Sequence, residues 1–134
     1  MLVAYDGSVA ARRALVHAAR FALSGDPVTV VNVMPEPGVG AQIGPPPEAR
    51  NHQWQLLEDA QQFLVTRGIT ADTADPVGDA ATEILATAKH VGADVIVLAH
   101  SRRKVPHVHA STTARVIRGA DCDVLVVHAS DAEA

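Results

Sequence analysis

Four times along this chain a short aliphatic run gives way to an Ala-rich amphipathic segment, a glycine follows, and another aliphatic run begins. The runs occupy residues 2–5, 28–33, 69–74, 95–99 and 124–128. The second, fourth and fifth are nearly continuous Val, Ile and Leu. Strands that lack polar alternation are hidden on both faces, as in parallel sheets covered by helices. Residues 69–74 interleave Thr and Asp with the apolar positions, which suits an edge strand.

Helical periodicity fills the intervals. Residues 8–23 place Ala11, Ala14, Leu15, Ala18 and Ala22 on one face, with Arg12, Arg13 and Arg20 elsewhere on the cylinder. Residues 48–66 form a stripe of Leu56, Leu57, Ala60, Phe63 and Leu64, with Gln53 at its margin. Residues 80–91 present Ala81, Ile84, Leu85, Ala88 and Val91, and residues 111–118 turn Ala114 and Ile117 inward. Gly25, Gly68, Gly92 and Gly119 follow these segments, as the left-handed residue that closes a helix favours glycine. The β-α-β-α-β-α-β-α-β order predicts an α/β fold. Right-handed crossovers then give one open five-stranded parallel sheet with helices on both faces, a single domain over residues 1–129. Residues 34–47 hold five prolines and three glycines, so they read as an irregular, flexible surface loop beyond the second strand. Residues 130–134 read as a polar tail.

Composition narrows the function. A length of 134 residues suits one domain with a continuous core, and aromatics at 3% leave the packing to aliphatic side chains. A formal net charge of −4 argues against nucleic acid or an anionic membrane as partner. The positive charge is local, in Arg102-Arg103-Lys104, between an aliphatic strand and the helical start Ser111-Thr112-Thr113. That placement suits a small anionic ligand, because helix N-termini at a strand edge present unpaired N–H groups. One cysteine, Cys122, cannot make an internal disulfide, and no stretch spans a bilayer, which predicts a cytoplasmic location.

Several segments are familiar together. The opening Leu2-Val3-Ala4-Tyr5-Asp6-Gly7-Ser8, then Gly78-Asp79-Ala80, then Gly92-Ala93-Asp94-Val95-Ile96-Val97, and finally Arg115 through Val127 resemble the universal stress protein family. They stand in the family's order and cover nearly the whole chain. The resemblance implies a flavodoxin-like fold, akin to the adenine-nucleotide α-hydrolases, with strand order 3-2-1-4-5. It also implies a stress-response regulator, commonly a homodimer through the last strand, with ATP or AMP as the candidate ligand and no required metal. The ATP-binding branch of the family carries a glycine, two residues, a second glycine, nine residues, then Gly-Ser or Gly-Thr. Here the matching positions are Ala99, Arg102 and Ala110-Ser111, so all three glycines are replaced and the last spacer is about two residues shorter. Arg102 could supply by its guanidinium what backbone amides supply elsewhere. The alternative is a nucleotide-independent interaction module that has lost the loop.

The candidate ligand residues are Asp6, Gly7, Ser8, Val33, Ala99, His100, Ser101, Arg102, Ala110, Ser111 and Thr112. By the resemblance Asp6 contacts adenine and the Val33 backbone lines it; Asp-Gly-Ser is equally ordinary turn and capping chemistry, and Val33 an ordinary strand end. Ser111, Thr112 and Thr113 could donate to phosphate or cap the last helix. Arg102, Arg103 and Lys104 could be a phosphate funnel or a solvated charge run. His100, His107 and His109 lack the further ligands of a metal site. With no Walker motif, nucleophile elbow or acid–base pair, binding is the expected activity, and any hydrolysis would come from positioning alone.

Overall fold

The computed structural model describes residues 1–22, 25–36, 44–101 and 111–129, and for Ser101 and Ala129 the backbone only. Five strands, β1 (Leu2–Ala4), β2 (Val28–Val31), β3 (Ala71–Ala74), β4 (Val95–Ser101) and β5 (Asp123–Ala129), alternate with four helices, α1 (Val9–Phe21), α2 (Pro47–Val65), α3 (Ala80–Val91) and α4 (Thr112–Gly119). The strands form one sheet in the order β3-β2-β1-β4-β5, and every pairing is parallel. The fold class and strand order expected from the sequence are those observed.

Two cores sandwich the sheet. Val3, Val30 and Val97 point to one face, where Ala14, Leu15 and Ala18 of α1 and Leu57, Ala60 and Leu64 of α2 cover them. Leu2, Val31, Ile96 and Leu98 point to the other, under Ala81, Ile84 and Ala88 of α3 and Val116 of α4. Each fully buried Val or Leu contributes about 1.5–3 kcal/mol by leaving water. Central strands must supply such residues on both faces, which is why their sequences do not alternate. At the β3 edge, Asp72 and Thr73 are exposed, as the interleaved polar residues predict.

Several details differ from the sequence reading. In α4 the inward residue is Val116, wholly buried, whereas Ile117 is 52% exposed. Val91, the last residue of α3, is 42% exposed. Gln53 is no marginal residue but completely buried. The expected glycine closure holds at α3, where Gly92 is left-handed with φ 66° and its N–H bonds back to Ala88 O. It holds at α2 as well, where Gly68 has φ 79° and its N–H bonds to Val65 O while the Ile69 N–H bonds to Leu64 O. By contrast α1 ends at Ala22 and α4 runs through Gly119. Gly119 serves contact instead: a Cβ there would stand 2.6 Å from Leu85 Cδ1 of α3. β2 closes at Val31, two residues earlier than expected, and β4 extends two residues further.

Candidate functional site

At the carboxyl edge of the sheet the connections diverge: β1 leads through α1 to β2 on one side, β4 through α4 to β5 on the other. Ligands of open α/β sheets bind in the crevice such a divergence leaves. Here it is a cleft of about 270 Å³ between the ends of β1, β2 and β4 and the first turns of α1, α3 and α4. Its volume lies near the lower end of the roughly 300–1,000 Å³ typical of small-molecule sites.

The turn out of β1 builds one wall. The Ser8 N–H donates to Asp6 Oδ1 at 2.9 Å, and Ser8 Oγ caps α1 by accepting from the Ala11 N–H at 3.1 Å. Gly7 between them has φ 81°, and a Cβ on it would lie 2.5 Å from Leu56 Cδ2. The Asp6 carboxylate is thus a turn-former that still lines the cleft.

The opposite wall is the exit of β2. The Thr29 N–H donates to Met1 O and Val31 O accepts from the Tyr5 N–H, so alternate residues here turn their peptide groups toward β1. Asn32 and Met34 instead donate to Ala74 O and Pro76 O on the β3 side. Val33 therefore aims its N–H and C=O at the β1 side, beyond the point where β1 has turned away at Gly7. Among the described residues neither group has a hydrogen-bond partner, and Val33 lines the cleft. Asn32 Nδ2 donates to Tyr5 O at 2.8 Å and ties the two strand ends together.

Helix N-termini complete the cleft. Asp79 caps α3 by accepting from the Thr82 N–H and Oγ1, and Ser111 caps α4 by accepting from the Ala114 N–H at 3.1 Å. Arg115 of α4 grips Asp79 with both terminal nitrogens, at 2.9 and 2.7 Å. This fork holds the Asp79 carboxyl far below the usual carboxylate range, aided by the Thr82 hydrogen bonds. It also locks the α3 and α4 N-termini side by side. With α1 they direct three positive helix ends toward one edge, a field that favours an anion.

Of the residues expected from the sequence, Asp6, Ser8, Val33, Ala99 and Thr112 line one cleft. Gly7 supports it from behind, against Leu56. Ser111 stands at the α4 cap, outside the lining. His100 follows Ala99 along β4, paired in register with His128, the ring centroids 5.5 Å apart. The Ser101 side chain and residues Arg102, Arg103, Lys104, His107, His109 and Ala110 lie outside the described residues. Tyr5, Asn32, Ala80, Ile84 and Leu98 also line the cleft and were not foreseen. Asn32 carried a faint signal, as the one amide following the aliphatic run of β2. Among the described residues no group of three or more His, Cys, Asp or Glu is placed to hold a metal ion, and no helix is long and apolar enough to cross a membrane.

Residues 1–128 match the profile of the Universal stress protein family. No curated protein sequence matches the chain. Among solved structures, a universal stress protein from Archaeoglobus fulgidus is 27% identical, with a TM-score of 0.76 over 94% of this chain and 96% of its own. A protein of the same family from Burkholderia pseudomallei is also 27% identical, with a TM-score of 0.74 over 96% and 94%. The universal stress protein from Archaeoglobus fulgidus in complex with dAMP is 26% identical, with a TM-score of 0.75 over 94% of each chain.

Proposed function

Because this chain belongs to the universal stress protein family, we propose that it is a stress-response regulator that binds an adenine nucleotide, ATP or AMP, in the cleft between β1 and β4. The observation that carries this reading is the convergence of Asp6, Val33, Ala99 and Thr112 on one crevice at the carboxyl edge. The dAMP complex of the Archaeoglobus relative supports the ligand class. The Val33 N–H and C=O complement the ring acceptor and amino donor of adenine, Asp6 contacts the same base, and the α4 N-terminus with Thr112 faces the phosphates. Arg102 takes the place of a phosphate-binding glycine, contributing a guanidinium in place of a close backbone approach. Binding is the activity this reading assigns to the cleft.

Two further features belong to the proposal. The protein pairs with a second copy through β5, the longer exposed sheet edge, and it works in the cytoplasm, consistent with its single, unpaired Cys122. Titration calorimetry with ATP, AMP and dAMP tests the ligand. Saturable binding is expected, and Asp6→Ala should weaken it about tenfold or more, as loss of a charged hydrogen-bond partner does. No heat of binding up to millimolar nucleotide would leave the interaction-module reading in its place.

A further inference from the structure

Gln53 is fully buried although it is polar and sits in the middle of α2, and the geometry of the β2 and β3 exits gives the reason. Asn32 donates its N–H to Ala74 O, and Met34 donates to Pro76 O while its own carbonyl accepts from the Gly78 N–H. In a parallel ladder of that register, the rung between these two would run from the nitrogen of residue 76 to Asn32 O. Residue 76 is proline, with no N–H to give. Gln53 Nε2 stands in that gap, 2.7 Å from Asn32 O and 3.4 Å from Pro76 O. Its orientation is fixed from behind: Arg50 donates to Gln53 Oε1 at 2.9 Å, and also to Asp75 O and Oδ2. The amide nitrogen therefore faces the two carbonyls.

We propose that Gln53 is a positioning residue for the base-reading wall of the cleft, replacing with its side-chain amide the backbone rung that Pro76 deletes. This rests on the nucleotide reading above and deepens it. Val33 is bonded to Asn32 and Met34, the two residues this repaired ladder clamps. Its peptide groups can hold one direction toward a base only while both neighbours stay docked on residues 74–78. In that direction the donor–acceptor order fits adenine and opposes guanine, so Gln53 acts on base selectivity through Val33 without touching the ligand.

Gln53→Met keeps the side-chain length and removes the donor; Pro76→Ala returns a backbone N–H at the missing rung. The Gln53→Met protein should show amide exchange at Met34 and Gly78 about tenfold faster than the parent, and its ATP-to-GTP affinity ratio should fall about tenfold. A tenfold change matches the cost of leaving one buried carbonyl unsatisfied. Adding Pro76→Ala should bring both readouts back to within about threefold of the parent, whereas a merely structural role would change melting temperature without moving the ratio. Unchanged exchange in Gln53→Met overturns the proposal, as does equal weakening of ATP and GTP. If Gln53→Met does not fold, the double variant should fold, and its failure to do so also overturns the proposal. Should the parent bind no nucleotide, the ligand reading fails by itself, and the exchange rates alone decide the role of Gln53 in the ladder.

Discussion

At position 7 a single hydrogen stands where any other residue would carry carbon. Gly7 combines a left-handed φ of 81° with a Leu56 methyl 2.5 Å from where a Cβ would lie. Gly7→Ala should therefore destabilise by about 1–3 kcal/mol, from backbone strain and the displaced leucine, measured as a lower urea midpoint at unchanged m-value. The same turn holds Asp6, so nucleotide affinity should fall with it. Asp79 gives a residue-scale prediction of the opposite kind, in pH. Its folded carboxyl is held far below its ordinary value of 3.8 by Arg115 and Thr82. A depressed acid stabilises the fold above its unfolded value, and that contribution drains away as pH falls below it. The parent should thus lose stability from about pH 4 downward more steeply than Asp79→Asn, which keeps an N-cap but not the ion pair. Thermal melts between pH 6 and pH 2 check this, and parallel curves would contradict it. Asp6-Gly7-Ser8 was legible in the sequence because local turn chemistry fixes it. Gln53 was not, because its role depends on Pro76, just past β3, falling at the rung that would reach Asn32 O.

The buried faces of the long helices were readable, and that of the short helix α4 was not. Helices α1 and α3 declared their buried faces through several alanines each, so one ambiguous position could not rotate them. Helix α4 has eight residues and two adjacent β-branched candidates, Val116 and Ile117, and the larger one suggested the wrong face. What decides the matter lies outside α4: Gly119 must sit against Leu85, and Arg115 must reach Asp79. Those two contacts turn Val116 to the sheet, where it is wholly buried, and leave Ile117 half in water. Val116→Ala should therefore cost about 2 kcal/mol, and Ile117→Ala less than about 0.5 kcal/mol, despite removing the larger side chain. Chemical denaturation of the two variants gives the comparison, and the reverse order would mean that α4 packs through its other face. The phosphate side of the site was less legible still: of Ala99, Arg102 and Ala110, which the resemblance sets at glycine positions, only Ala99 lies among the described residues.

The whole molecule has two sheet edges, and they are built differently. β3 is four residues long with Asp72 and Thr73 exposed, a short charged edge of the kind that discourages further pairing. β5 is seven residues long and reads Asp-Val-Leu-Val-Val-His-Ala, with Val124, Leu125 and Val126 only half-buried and Phe21 of α1 60% exposed near Leu125. Its central residues 124–126 carry no charge, which is the physical support for the proposed pairing with a second copy. The ladder specifies how to break such pairing without harming the fold. Asp123 donates its N–H to Asp94 O, so residues 123, 125 and 127 face β4, while Val124, Val126 and His128 turn their N–H groups outward. A proline at an outward position removes a donor that the β4–β5 ladder does not use. Val126→Pro should therefore convert a dimer at tens of micromolar into a monomer by sedimentation velocity, with the circular dichroism of the parent retained. Its nucleotide affinity should stay within about threefold, because among the described residues none of β5 lines the cleft. The same substitution at Leu125 would delete a donor aimed at β4 and should unravel the edge itself. Equal tolerance of proline at 125 and 126, or a Val126→Pro protein that remains dimeric, would place the interface elsewhere on the molecule.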